Sequence, residues 1–189
     1  MRLVQGAGIA AMTEDWALLL QAKAGDEGAW RQLTARHQPS LWKWLLFSTR
    51  RRNSAEEIQQ ETWVRIFNVT PRHHAGSFRA YLFRIARNLL LKTSSLDKRL
   101  HEVEPDQLEA TTTGPLLDLL RSERELWLTR ALAALPPAQR DVLQLRFFGQ
   151  QSLAEIAVIL AVPTGTVKSR LHNGINSCRE YLKLRGVES

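Results

Sequence analysis

Apolar positions recur at three- and four-residue spacings along almost the whole chain, and no run shows the alternation of a half-buried strand. Trp16, Leu19, Leu20 and Lys23 open a first predicted helix that ends at Gly25. Asp26 can cap a second, which carries Trp30, Leu33 and His37 and halts before Pro39. Leu41, Trp44, Leu45 and Ser48 mark a third, running into Arg50-Arg51-Arg52. Ser54 to Glu57 fits a capping box, and the helix after it aligns Ile58, Thr62 and Ile66, with Trp63 and Phe67 beside them. Thr70 to Ser77 breaks the pattern. From Phe78 a long helix resumes with Phe78, Tyr81, Leu82, Ile85 and Leu89 on one face and Arg84, Arg87, Asn88 and Lys92 on another.

Residues 101–115 have no sustained helical period and include two prolines and a run of threonines, which reads as a linker. Leu116 to Leu135 is again helical in pattern. Pro137 suits the first turn of a helix reaching Phe148 and closed by Gly149. Ser152-Leu153-Ala154-Glu155 is a second capping box, opening a short helix with Ile156, Ala157 and Leu160 inward. Ala161-Val162-Pro163 is a turn, Thr164 the expected cap, and the last helix extends to about Leu184 with Val167, Leu171, Ile175, Cys178 and Leu182 as its apolar stripe. The expectation is an all-α protein: a tail at 1–12, one small helical domain at 13–95, a linker at 96–121 and a second helical domain at 122–189. Met12 is a second possible start.

Charge changes this picture. Of 189 residues, 26 are Lys or Arg and 19 Asp or Glu, a net charge of +7. Residues 13–95 hold 13 basic and 7 acidic side chains, residues 96–121 hold 3 and 6, and residues 122–189 hold 9 and 6. Two basic lobes flank an acidic tether, which fits a polyanionic partner and equally fits a solubilising surface. A single cysteine, Cys178, excludes an intramolecular disulfide. No zinc-ligand spacing, phosphate-cradling glycine loop or acidic metal triad stands out, so no catalytic residue, metal or cofactor is expected. The longest apolar runs are too short to span a bilayer, and the weak N-terminal apolar stretch makes a poor signal peptide; a cytoplasmic protein is expected.

The segment from Ser152 to Leu182 has the layout of a helix-turn-helix: a capped short helix, a tight turn, and a second helix polar and basic in its first turns. Thr164, Gly165 and Thr166 permit close approach at its N-terminus, Lys168 and Arg170 supply charge, and Ser169, His172 and Asn173 offer hydrogen bonds to base edges. Alone, such a helix pair fits two packed helices with a solvated face just as well.

Ala134 to Leu143, Leu153 to Ala157 and Val162 to His172 together resemble region 4 of bacterial sigma-70 factors, closest to the extracytoplasmic-function (ECF) group. Ala24 to Glu27, Gln60 to Trp63 and Ser77 to Leu89 resemble region 2 of the same group. The resemblance implies a dissociable, non-enzymatic subunit. It would bind core RNA polymerase through the β′ clamp helices and the β flap, and read promoter DNA. It also implies an inhibitory anti-sigma partner. Carried over by residue, Glu56, Glu57, Gln59, Gln60, Glu61 and Trp63 align with the polymerase-binding helix, although Trp63 and Phe67 also fit as core fillers. Arg72, His73, His74, Ser77, Arg79, Arg84, Arg87 and Asn88 align with the elements that hold the melted −10 strand; a solvated stripe, or ion pairs within the lobe, would use Arg84 and Arg87 equally well. Thr164, Gly165, Thr166, Lys168, Ser169, Arg170, His172 and Asn173 align with the −35 reading helix.

Three positions depart from the family pattern. Asn173 stands where relatives often have Arg, Ala161 where they often have Gly, and Thr93-Ser94-Ser95 where they tend to be more basic. A reading from a different class is a stand-alone helix-turn-helix regulator that binds duplex as a dimer, but it leaves the loop and basic helix at 70–92 without a use.

Overall fold

The structure, a computed structural model, describes residues 14–69, 77–100 and 123–186. The tail expected at 1–12 and residues 101–121 of the linker expected at 96–121 lie outside the described residues, as do Arg72, His73 and His74. Among the described residues all regular structure is helical: α1 (Glu14–Lys23), α2 (Glu27–Thr49), α3 (Arg52–Asn68), α4 (Phe78–Leu100), α5 (Glu123–Ala134), α6 (Pro137–Phe147), α7 (Leu153–Leu160) and α8 (Thr164–Lys183). In the first lobe α1 packs on α2, α2 on α3 and α3 on α4; in the second, α5, α6 and α7 pack on α8. The α4 helix continues to Leu100, into the segment 96–100 that composition assigned to the linker.

The second and third predicted helices are one. α2 runs unbroken over 23 residues with Pro39 inside it. An interior proline costs about 3 kcal/mol in lost hydrogen bonding and steric clash. Leu33, Leu41 and Leu45 are fully buried on either side of it, each worth about 1.5–3 kcal/mol, so keeping the helix whole is the cheaper solution. The Ser40 hydroxyl donates to His37 O at 3.1 Å inside the same turn.

The start of α3 also differs from expectation. Arg50 adopts a left-handed conformation (φ 58°) and returns its N–H to Leu46 O, which reverses the chain within two residues. The next helix therefore begins at Arg52, capped at Arg51 without a side-chain bond, and Ser54 lies inside the first turn rather than forming a capping box with Glu57. Thr164 is likewise the first helical residue of α8, not its cap; Pro163 takes the cap position. Asp26 and Ser152 do cap as expected, accepting from Ala29 N and Glu155 N.

Burial refines the apolar faces. Leu18 rather than Leu20 turns inward from α1, and Ile159 is buried in α7 where Ala157 and Leu160 are only half-buried. In α8, Gly174 joins Val167 and Cys178 in the interior, while Leu171, Ile175 and Leu182 are half-buried. A Cβ at Gly174 would come within 2.5 Å of Leu143 Cδ1, so the missing side chain lets α6 and α8 meet.

One polar cluster ties α1 to α2. Arg36 bonds both Glu14 and Asp15, and His37 Nε2 lies 2.9 Å from Asp15 Oδ2. Burial pushes the His37 pKa below its usual value and outweighs the neighbouring carboxylate. The neutral ring donates from Nε2 and leaves Nδ1, which has no partner, as a bare acceptor. A second proton would bury an orphaned donor there.

Candidate nucleic-acid interface

The helix-turn-helix forms as the spacing predicts. Ser152 Oγ accepts the Glu155 N–H at 3.2 Å while Glu155 Oε2 accepts the Ser152 N–H at 2.8 Å, closing the capping box. α7 ends at Ala161 in a left-handed conformation (φ 54°, ψ 47°), and its N–H and that of Val162 return to the last turn of α7. This is the strained geometry that glycine adopts freely and alanine does not. The turn sets Val167 and Ile156 into the interior and sends the opposite face of α8 outward.

On that outward face Thr164, Gly165, Lys168, Ser169, His172 and Asn173 are exposed, and Thr166 and Arg170 half-exposed. The N–H groups of the first turn have no intrahelical acceptors, and they point along the helix axis toward whatever approaches. Ser169 Oγ donates to Thr166 O at 3.0 Å, and Asn176 Nδ2 lies 3.0 Å from His172 Nε2. An amide nitrogen only donates, so Asn176 fixes the histidine with its other ring nitrogen outward.

The candidate polymerase-binding residues line α3. Glu57, Gln60 and Glu61 are exposed, and Glu56, Gln59 and Trp63 half-buried. Arg52–Glu56 (2.9 Å) and Glu61–Arg65 (2.7 Å) are pairs one helical turn apart. Exposed pairs of this kind are worth only about 0.3–0.5 kcal/mol, so both carboxylates remain available to a partner. Trp63 and Phe67 both meet the Trp30 ring edge-on, at 5.5 and 5.4 Å between centroids. Phe67 is not a core filler: it is 41% exposed, and Val64 is 54% exposed beside it.

α4 departs most from expectation. Phe83 and Ala86 are fully buried in addition to the predicted stripe, because α4 is covered on a second side by α7. Of the predicted −10 residues, Arg84 and Asn88 are exposed, but Ser77, Arg79 and Arg87 turn to the second lobe. Ser77 Oγ donates to Glu155 Oε1 at 2.6 Å, Arg79 Nη2 to Gly149 O at 3.0 Å, and Arg87 Nη2 to Asp141 Oδ2 at 3.3 Å. Arg87 thus forms neither a purely solvated stripe nor an ion pair within its own lobe. Burial opposes the charge on Glu155, yet the hydrogen bonds from Ser77 and Ser152 and the nearby Arg79 charge hold its carboxyl below the usual range. The partners Asp141, Gly149 and Glu155 carried no signal for this role in the sequence; Gly149 read only as a helix stop and Glu155 only as part of a cap.

Known proteins share this arrangement. Residues 33–95 match the family description "Sigma-70 region 2" and residues 131–180 match "Sigma-70, region 4". The chain is 30% identical over 172 residues to the ECF RNA polymerase sigma factor SigE of Mycolicibacterium smegmatis, covering 87% of this chain and 67% of that protein. It is 30% identical over 169 residues to the ECF RNA polymerase sigma factor SigL of Mycobacterium tuberculosis, covering 88% and 96%. In fold it is similar to CnrH, solved in complex with the cytosolic domain of CnrY (TM-score 0.67, 21% identity, 90% of this chain and 97% of that one). It is similar also to the sigma factor RpoE of Bartonella quintana, solved with the anti-sigma factor NepR (TM-score 0.60, 21% identity, 82% and 96%). With both sigma-70 regions in order on two helical lobes, and near full-length likeness to SigL, the chain belongs to the ECF group of the sigma-70 family of RNA polymerase sigma factors.

Proposed function

We propose that this protein binds core RNA polymerase and directs it to promoters by reading two DNA elements, one with each lobe. The observation that carries the reading is the helix-turn-helix itself. α8 presents an uncapped N-terminus and an exposed row of Lys168, Ser169, His172 and Asn173, held by a short helix that is fixed by its capping box. Phosphates pair with Lys168 and Arg170, while Ser169, His172 and Asn173 face base edges of the −35 element. α3 offers Glu56, Glu57, Gln59, Gln60, Glu61 and Trp63 to the β′ clamp, and the second lobe docks on the β flap. α4, with Ser77, Arg79, Arg84, Arg87 and Asn88, and the preceding loop with Arg72, His73 and His74, takes the unstacked −10 strand. Phosphates there meet arginine and bases find pockets, so binding energy favours the opened strand over duplex. An anti-sigma factor, the class of partner seen with the Bartonella quintana protein, is the expected inhibitor.

Run-off transcription with core polymerase on genomic fragments tests this. Start sites should change when the protein is added. Asn173→Ala should shift preference at −35 positions, whereas Lys168→Ala should weaken all sequences alike and reduce the salt slope by about 1. Unchanged start sites overturn the proposal, and tight dimeric duplex binding without polymerase would point to a stand-alone regulator.

A further inference from the structure

α7 lies along α4, and α6 along α2, so the two lobes meet in a seam. The α4 side of that seam is patterned. Ser77, Ala80, Tyr81 and Arg84 recur at spacings of three and four residues, which puts them on one face. Ala154, Glu155 and Val158 of α7 lie opposite, and the Trp16 ring of α1 completes the lining. With only methyl groups at Ala80 and Ala154, the two helices leave a cavity of about 360 Å³ between them, a volume within the range of small-molecule sites.

The lining selects a chemistry. Trp16 and Tyr81 stand 5.5 Å apart between ring centroids, tilted by 56°, and make an aromatic wall. Ala80, Ala154 and Val158 add aliphatic surface. A flat aromatic ring gains the most contact on such a wall while losing little conformational freedom. Two charged groups also line the cavity, and they are not equivalent. Glu155 is already answered within the protein: Oε1 accepts from the Ser77 hydroxyl at 2.6 Å and Oε2 from the Ser152 N–H at 2.8 Å. Arg84 is exposed, and among the described residues its guanidinium has no hydrogen-bond or ion-pair partner. The unspent charge is therefore positive. A guanidinium holds a planar carboxylate, or a sulfonate, through paired hydrogen bonds. A cationic ligand would have to take Glu155 from both serines and would face Arg84.

We propose that the cavity between α4 and α7 binds a small aromatic acid, its ring against Trp16 and Tyr81 and its anionic group on Arg84. One ligand then touches three helices, α1 and α4 of the first lobe and α7 of the second. The site stands on this geometry and not on any role of α4 toward DNA.

The test titrates the full chain with anilinonaphthalene sulfonate, an aromatic anion whose emission rises in apolar surroundings. Saturable binding is expected. Val158→Trp, which fills the cavity from an exposed position, should abolish it. Arg84→Gln should weaken it roughly tenfold or more, as for a lost charge-assisted hydrogen bond. Leu128→Lys controls for dye held in a separate apolar groove of the second lobe, lined by Phe147 and Leu182, and should leave the seam site unchanged. Naphthoate should displace the dye, and neutral naphthalenemethanol at the same concentration should displace far less. Circular dichroism checks that each variant keeps its helix content. Binding that persists in Val158→Trp, or no saturable binding in wild type, overturns the site. Unchanged affinity in Arg84→Gln, or equal displacement by the two competitors, overturns the acid as its ligand.

Discussion

On α8 the side chains proposed to read duplex DNA stand in solvent, whereas two of those proposed for the single strand on α4, Arg79 and Arg87, and Ser77 just before it, are held by the other lobe. The cores differ in the same direction. The first lobe buries Trp16, Trp44, Phe78 and Phe83, with Trp16 edge-on to Phe78 at 5.0 Å. Among the described residues the second lobe buries one aromatic ring, Phe148, and stacks it on Phe47 of the first. Its own interior is aliphatic: Leu145, Ile156 and Val167. A helical unit this small has little apolar area to bury, and the seam supplies some of what it lacks. One interface therefore both buries apolar surface of the second lobe and engages polar side chains of the first. The thinner lobe leans on the thicker one, and in leaning covers it.

The largest test of that asymmetry is Trp16→Ala. Emptying this site should cost about 3–5 kcal/mol in the first lobe. If the lobes are coupled, the second lobe's transition in urea moves as well; two independent transitions, with only one displaced, would break the comparison. Gly174→Ala strikes the other side. Its methyl would press on Leu143, for about 1–3 kcal/mol of overpacking, and should lower the melting temperature of the second lobe while α3 is undisturbed.

Acid gives a smaller effect with a defined sign. Because the folded-state pKa of Glu155 lies below its usual 4.5, its contribution is complete above about pH 4.5 and is lost as pH falls through the depressed value. Scattering and circular dichroism between neutral and acid pH should therefore show α7 and the seam loosening together below that point, and Glu155→Gln should flatten the profile. Ala161→Gly is the smallest change. It relieves a left-handed alanine at the helix-turn-helix corner and should stabilise the second lobe by about 1 kcal/mol or less, measured by denaturant midpoint. A destabilised Ala161→Gly would mean the corner is not strained.

Much of the site was readable before folding was considered. The cap at Ser152, the turn at Ala161-Val162-Pro163 and the polar first turns of α8 are local features, each decided by residues three or four apart. The polar row of α8 faces outward, as its spacing predicts, for the same reason. Arg79 and Arg87 could not be assigned so simply. Their partners lie 70 and 54 positions away across a linker, and no local pattern selects Gly149 or Asp141 from the other groups on that lobe.

The chain's own periodicity, caps and charge thus determined that there would be two basic helical lobes, one carrying a helix-turn-helix, because each of those features is set within a turn or two of helix. Packing decided the rest. Burial of Leu33, Leu41 and Leu45 kept α2 whole through Pro39, Arg50 moved the start of α3, and the meeting of α4 with α7 chose which arginines stay free. Those outcomes turn on contacts between segments distant in sequence, where the energy of an interface outweighs local preference.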